Sequence, residues 1–249
     1  MFYFFSKKLY VRDLLEGFVD IHSHILPGID DGSKSVDESI HLIRKLTELG
    51  VSEFIPTPHI MQDFYPNTDE SIGNSYQILL DGLCETSWLS EITINPAAEY
   101  MLDDNFEKLL KNQDLYTLKK NYVLVEMSYY QAPINLEDII FDIKSKGYIP
   151  VLAHPERYSF YHNNLHYYKR LKQLGCLFQL NLLSLSEHYG KQVEKVGKYL
   201  IEENLIDFVG TDTHNKKHIS KLSKLSVNNK IFEPLKTIVD STNTVFSVT

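Results

Sequence analysis

The sequence predicts an α/β fold: a parallel sheet closed as a distorted seven-stranded (β/α)7 barrel. Three observations lead there. Seven short apolar runs alternate with longer amphipathic stretches, the pattern of repeated βα units. Polar residues capable of chemistry stand at the C-terminal end of nearly every run, which is where barrel enzymes place their sites. No Gly-x-Gly-x-x-Gly follows the first run, so an open dinucleotide-binding sheet lacks its fingerprint.

In chain order, residues 1–17 are read as an N-terminal arm and 18–249 as one barrel domain. Met1-Phe2-Tyr3-Phe4-Phe5 is apolar but too short to cross a bilayer. Lys7-Lys8 follows that run, whereas a signal peptide carries its charge first, so no stable membrane insertion is expected. The arm is expected to pack on the body of the domain or on a neighbouring subunit, a homo-oligomer being one outcome.

The expected strands are Phe18–Ile21, Glu53–Pro56, Ile92–Pro96, Tyr122–Glu126, Ile149–Ala153, Leu177–Asn181 and Asp207–Gly210. Ser35-Val36-Asp37-Glu38 reads as a capping box opening a helix to about Leu49, stopped by Gly50. Asn67 to Glu91 reads as helical. Asn135 is placed as the cap of a helix ending near Gly147, and Asn164 to Leu174 as a helix ending at Gly175. Lys191 to Asn204 is amphipathic. Ile231 to Thr249 reads as a helix followed by an extended tail.

The chain has 249 residues, 43% hydrophobic and 23% charged, enough for a sizeable core. Its 25 basic and 33 acidic residues give a net charge of −8, which argues against a general nucleic-acid or anionic-membrane binder. The two cysteines, Cys84 and Cys176, form no Cys-x-x-Cys and no disulfide framework, pointing to a reducing cytoplasm.

The run ends carry the chemistry. The first gives His22-Ser23-His24, two imidazoles two residues apart, and then a loop with Asp30-Asp31-Gly32. The second is followed by His59, the third by Glu99; the fourth ends in Glu126 and the fifth in His154, with Arg157 three residues on. The seventh leads to Asp212 and His214. Neutral imidazole and carboxylate are ligands for zinc, manganese, iron or magnesium-like ions. Nine such residues over-supply one ion; two or three bridged ions match the count and suit phosphoester hydrolysis. Taken singly, each has a plainer reading: a turn residue at Asp31, a packed loop histidine at His59, a helix cap at Glu99. All must hold together at one face for the site to be absent. Arg157 reads either as a surface partner of Glu156 or as a guanidinium gripping phosphate oxygens bidentately. His188 and His218 are placed near substrate. His41, His162 and His166 read as ordinary surface residues, and the tyrosine-rich patches as packing, with one or two rings framing an entrance.

From about Phe18 to His214 the chain resembles the PHP (polymerase and histidinol phosphatase) superfamily. More closely it resembles the manganese-dependent protein-tyrosine phosphatases of bacterial capsule and exopolysaccharide operons. Asp20-Ile21-His22-Ser23-His24, Ile29-Asp30-Asp31-Gly32, Pro58-His59, Ala98-Glu99-Tyr100, Val125-Glu126, His154-Pro155-Glu156-Arg157-Tyr158 and Gly210-Thr211-Asp212-Thr213-His214 carry the resemblance. It implies a PHP-type distorted barrel with two to three divalent ions, manganese first, with iron, zinc or magnesium as alternatives. The implied ligands are His22, His24, Asp31, His59, Glu99, Glu126, His154, Asp212 and His214, with Glu126 bridging. The implied catalytic residues are Arg157, His154 and Glu126, Arg157 holding phosphate. The implied substrate is a phosphotyrosine protein, the tail of a bacterial tyrosine kinase, hydrolysed by a metal-activated hydroxide attacking phosphorus in line. Two departures stand out. Family members often carry basic residues after the histidine of the second strand, whereas Ile60-Met61-Gln62-Asp63 follow here, and the N-terminal arm is an addition.

The alternatives are a histidinol-phosphate-type small-molecule phosphatase, a nuclease or amidohydrolase of similar design, and a non-catalytic module binding a kinase tail. Acidic net charge weighs against the nuclease. A cysteine phosphatase is excluded on spacing. Cys-x5-Arg would need arginine at positions occupied by Ser90 and Leu182.

Overall fold

The computed structural model describes residues 8–84, 92–112 and 115–248. The described strands are β1 (Leu9–Tyr10), β2 (Phe18–Asp20), β3 (Val51–Phe54), β4 (His59–Ile60), β5 (Thr93–Ile94), β6 (Glu99–Met101), β7 (Tyr122–Glu126), β8 (Ile149–Ala153), β9 (Leu177–Asn181), β10 (Phe208–Gly210) and β11 (Ser226–Val227). The helices are α1 (Val36–Thr47), α2 (Asp69–Leu83), α3 (Asp104–Asn112), α4 (Leu136–Ser145), α5 (His166–Gln173), α6 (Lys191–Glu202), α7 (Lys216–Leu222) and α8 (Asn229–Phe246).

The parallel α/β class expected from the sequence is present, but the strands do not form one closed seven-stranded ladder. They form a six-stranded parallel sheet, β10-β9-β8-β7-β6-β4, and a three-stranded parallel sheet, β2-β3-β5. The cause is in the sequence. The second and third runs each end in proline, Pro56 with Pro58 just beyond it and Pro96, which have no N–H to give a ladder. The ladder therefore stops within each expected run and resumes beyond it as a separate short strand, β4 after the second run and β6 after the third. The pairing keeps its register across the gap, with Phe54 opposite Ile94 and His59 opposite Glu99. Isolated bonds bridge the gap, from Ala97 N to Pro56 O (2.8 Å) and from Glu99 N to Pro58 O (3.1 Å). Between β2 and β10 there is one bridge, Ser23 with Thr213, flanked by Asp212 N to His22 O (2.7 Å) and His24 N to Thr213 O (3.0 Å).

Strand alternation sorts the core into two clusters. Val19 and Ile21, Ile55, Ala97, Leu124, Val151 with Ala153, and Phe208 come from both sheets and pack together, with Phe246 of α8. Their neighbours along the chain, such as Val123, Val125, Leu152, Phe178, Leu180 and Val209, join the larger cluster that includes the apolar faces of the helices. Both faces of the parallel strands are thus buried.

Six of the eight described helices lie where the sequence places them, while α3 and α7 are not among the expected ones. Ser35 caps α1 by accepting from Glu38 N (3.3 Å), but the Glu38 carboxylate accepts from Lys34 N, so the reciprocal half of the box lies one residue outside the cap. Asn135 sits at the cap position of α4 without capping it; its side chain donates to Glu107 instead. α2 ends at Leu83, and 85–91 of its expected span lies outside the described residues. Of the arm, Leu9–Tyr10 pairs antiparallel with β11, and Val11 and Leu15 are fully buried, so its inner half packs on the body of the chain. No helix among the described residues is long and apolar enough to cross a membrane.

Candidate active site

Histidines and carboxylates converge at one end of the parallel strands: Glu126, His154 and Asp212 at or just after the C-terminal ends of β7, β8 and β10, and His59 and Glu99 at the first residues of β4 and β6, beyond β3 and β5. On β7 the period of two that puts Leu124 in the shared core also carries Glu126 to the same side, at the end of the strand. His154 directly follows Ala153 on β8, where alternation alone would send it to the other face with Leu152; the backbone turns there instead. His154 and Asp212 both adopt left-handed backbone, with φ of 35° and 49°. Such geometry costs a non-glycine residue about 1 kcal/mol or more and concentrates at functional sites. At the end of β10 only glycine fits: a Cβ at Gly210 would lie 2.7 Å from that of His22.

All nine residues singled out from the sequence fall in one cluster. His22 Nε2 lies 3.3 Å from His24 Nε2, 3.3 Å from Glu99 Oε2 and 3.5 Å from Asp212 Oδ1. His59 Nδ1 lies 3.1 Å from Glu99 Oε2 and 2.9 Å from Glu126 Oε1. His154 Nε2 is 3.0 Å from Glu99 Oε1. The half-exposed Asp31 places Oδ1 3.4 Å from His59 Nε2 and 3.3 Å from His214 Nε2. Four overlapping donor sets result: His24, Asp31, His59 and His214; His22, His24 and Asp212; His22, Glu99 and His154; His59, Glu99 and Glu126.

The chemistry of these donors suits cations. His22 Nδ1 meets Gln179 Oε1 at 2.7 Å and His24 Nδ1 meets Asp30 Oδ2 at 2.8 Å. Both partners are acceptors, so each ring spends its Nδ1 proton outward and turns its Nε2 lone pair inward. Those lone pairs face each other and two carboxylates in a buried space. Glu99 Oε2, Glu126 Oε1 and His59 Nδ1 converge there, buried and without a hydrogen bond. Such atoms are costly unless a positive charge satisfies them.

Protonation shows the same demand. Burial opposes a charge on His24, but Asp30 and the bonds to Asp212 and Asp30 carry its pKa up to about 10. Burial likewise opposes His59, and Glu99 and Glu126 hold it well above its ordinary value. Glu99 and Asp212 stay well below the usual carboxylate range, because His22, with His59 near Glu99 and His214 near Asp212, outweighs burial. His154 is lowered, chiefly by burial, which favours the neutral ligand form.

Arg157 stands at the edge of the cluster. Its partner is Asp212 Oδ2, at 3.0 Å. The guanidinium lies between two rings, 4.6 Å from the centre of Tyr129 and 4.2 Å from that of Tyr189. Tyr129 also stacks on His154, with centroids 5.7 Å apart. A cavity of about 570 Å³ opens over Arg157 and the cluster, walled by Met61, Tyr65, Met101, Tyr129 and His218 among others. His188, expected near substrate, lies outside the residues lining it, beside Lys221 at 2.7 Å. Tyr158 and Tyr168 are buried and serve packing, Tyr158 accepting from Met127 N and donating to Ala153 O. His162 is half-buried against Glu156 O rather than a plain surface residue.

The sequence reading passed over the residues that hold the cluster in place. Gln179 Nε2 donates to Asn181 Oδ1 (3.1 Å), and Asn181 Nδ2 donates to Asp212 Oδ2 (2.5 Å). Asp20 accepts from Thr211 N (2.9 Å) and Thr211 Oγ1 (2.6 Å), tying the ends of the first and last runs together. Burial pushes the Asp20 carboxyl up to about 6 despite the Thr211 bonds. A signal for β9 was present: Gln179 and Asn181 are polar at period two inside an apolar strand. Tyr189 left none.

A family model described as capsular polysaccharide synthesis, CpsB/CapC, matches residues 18–229. The tyrosine-protein phosphatase YwqE of Bacillus subtilis is 32% identical over 200 residues, spanning 80% of this chain and 78% of the relative. The tyrosine-protein phosphatase CpsB of Streptococcus pneumoniae is 30% identical over 203 residues, 79% and 83% of the two chains. A crystal structure from work on YwqE and CpsB, described there as unique metal-dependent tyrosine phosphatases, superposes with a TM-score of 0.76 at 29% identity over 88% of this chain and 86% of that one. The Escherichia coli phosphotriesterase homology protein shares the fold, with a TM-score of 0.52 at 13% identity over 93% of this chain and 99% of that one. The family model spans every residue of the cluster, from His22 to His214, and the chain belongs to the CpsB/CapC family of capsular polysaccharide synthesis proteins.

Proposed function

We propose that this chain is a metal-dependent tyrosine-protein phosphatase acting in capsular or exopolysaccharide synthesis. The observation that carries the reading is the convergence of five imidazoles and four carboxylates on one buried space, with Arg157 beside it at the floor of an aromatic-walled cavity. His22, His24, Asp31, His59, Glu99, Glu126, His154, Asp212 and His214 would hold two to three divalent ions, manganese foremost, with Glu99 and Glu126 each offering both carboxylate oxygens to neighbouring positions. Divalent ions there supply Lewis acidity and an activated water for attack on phosphorus.

The chain's own residues do the rest. The Arg157 guanidinium presents its fork to phosphoryl oxygens, held in plane by Tyr129 and Tyr189. As charge builds on those oxygens, the fixed donor stabilises it without reorganising. His154 and Glu126 fix the cluster's geometry beneath the phosphorus. A phenolate leaving group, whose conjugate acid has a pKa of about 10, needs less protonation than a serine alkoxide. Tyr65 and Tyr129, which stack on His59 and His154 in the wall, accept the substrate ring. We read the two sheets as parts of one distorted seven-segment barrel, residues 18–249 as one catalytic domain, the cytoplasm as its compartment, and the tail of a bacterial tyrosine kinase as its substrate.

The test combines metal analysis of the purified protein with turnover of a phosphotyrosine peptide, a phosphoserine peptide and histidinol phosphate. Phosphotyrosine is expected to be preferred, and His154→Ala to abolish turnover with the fold intact. Preference for histidinol phosphate would overturn the substrate assignment. Full activity in His154→Ala would overturn the metal assignment.

A further inference from the structure

Seven large apolar side chains are exposed among the described residues, and three of them, Phe64, Tyr129 and Tyr130, line the one cavity over the cluster. Tyr129 is accounted for by Arg157 and His154. Phe64 and Tyr130 are 74% and 94% exposed and belong to neither apolar core cluster. Apolar side chains scattered singly in water are ordinary, but these two share the lining of the cavity over the cluster, where a substrate would meet them.

Their exposure is built in. Phe64 sits on a tight turn closed by Met61 N to Tyr65 O (2.9 Å) and Tyr65 N to Met61 O (2.8 Å). Asp103 anchors the turn by accepting from Gln62 N (3.0 Å), and Asn67 anchors it by donating to Ile29 O and His59 O. Tyr130 N donates to Ser128 Oγ (3.2 Å), which ties down the backbone beside the Tyr130 ring. A preorganised surface loses little entropy on binding.

Charge narrows the occupant. Among the described residues lining the cavity, Arg157 is the only lysine or arginine, and it is already engaged at the phosphate end. The turn contributes Asp63 and no cation. Acidic residues flanking the phosphotyrosine inside the cavity would find no free cation in its lining and one repulsion at the turn; apolar flanks would cover Phe64 and Tyr130.

We propose that Phe64 and Tyr130 are specificity-determining residues that select phosphotyrosine sites flanked by apolar or aromatic residues, a proposal that rests on the phosphatase reading above. The experiment compares wild type, Phe64→Ala, Tyr130→Ala and the double variant, loaded with manganese, on p-nitrophenyl phosphate and on two phosphotyrosine peptides differing only in leucine/phenylalanine or aspartate/glutamate flanks. Wild type is expected to favour the apolar peptide in kcat/KM by roughly tenfold or more. The double variant is expected to lose most of that preference through KM and to turn over p-nitrophenyl phosphate at the wild-type rate. Equal kcat/KM for the two peptides, or an equal loss on all three substrates, overturns the proposal. So does a change in sedimentation with unchanged KM, which would make the patch a contact between copies of this chain. If wild type turns over none of the three, the phosphatase reading itself fails and the proposal falls with it.

Discussion

Gln179 and Asp30 decide how His22 and His24 face the cluster, because each accepts the Nδ1 proton and leaves Nε2 as the inward donor. Removing such an orienting acceptor costs a metal site roughly 10–100-fold in affinity. Gln179→Leu, close in volume, is therefore expected to weaken metal binding by that factor with circular dichroism unchanged; wild-type affinity in a metal titration would refute the orienting role. At Arg157 the requirement is for a planar fork between two rings, not for charge alone. Arg157→Lys is expected to lower kcat/KM about 10²-fold and to raise the inhibition constant of inorganic phosphate. A near-wild-type rate with lysine would reduce Arg157 to a neutralising charge.

Among the elements, the loop between β2 and α1 holds the most consequence in the least chain. It turns at Asp30-Asp31-Gly32, where Asp30 binds both His24 and Gly32 N (2.9 Å), and Asp31 faces His59 and His214. A Cβ at Gly32 would lie 2.0 Å from His24 O, a backbone atom that cannot give way. Gly32→Ala must displace the loop that carries Asp31. It is expected to lower stability by more than ~1 kcal/mol and to reduce bound metal per chain, read by thermal unfolding and elemental analysis of one preparation. Ser35→Ala, at the cap of the following helix, is the control: about 1 kcal/mol of stability lost with metal content retained. Loss of metal in both variants would mean that general destabilisation, not the loop, controls the site.

For the whole molecule, metal and protons compete for the same atoms. In the metal-free protein His24 is held up to about 10 by Asp30, against burial, while an unfolded histidine titrates near 6.5. Its ion pair therefore stabilises the metal-free fold fully below about pH 6.5 and is lost as pH rises through about 10. His59 and His22 are raised as well, so a divalent ion must displace protons from several rings. Metal affinity is expected to rise with pH across neutrality. Calorimetry in two buffers of different ionisation enthalpy should show proton release; identical apparent enthalpies would contradict the protonation pattern. A chelator is expected to abolish turnover, and titrating the metal back should restore it.

What the sequence by itself determined is local. Short apolar runs specified where seven of the strands lie, Ser35 and the glycines Gly50, Gly147 and Gly175 specified where helices start or stop, and the polar residue ending or following a run specified which side chains share an end of the sheet. This is why all nine singled-out residues meet in one cluster. The sequence also contains the prolines that end the second and third runs, yet it reads as a closed ladder, because a missing N–H shows its effect only when a neighbouring strand needs it. Tertiary structure alone decided the rest. The Tyr129–Arg157–Tyr189 stack joins loops after β7, β8 and β9, and the Asp20–Thr211 tie joins residues 191 positions apart. Such contacts follow from which strands become neighbours, and residue periodicity does not encode neighbourhood.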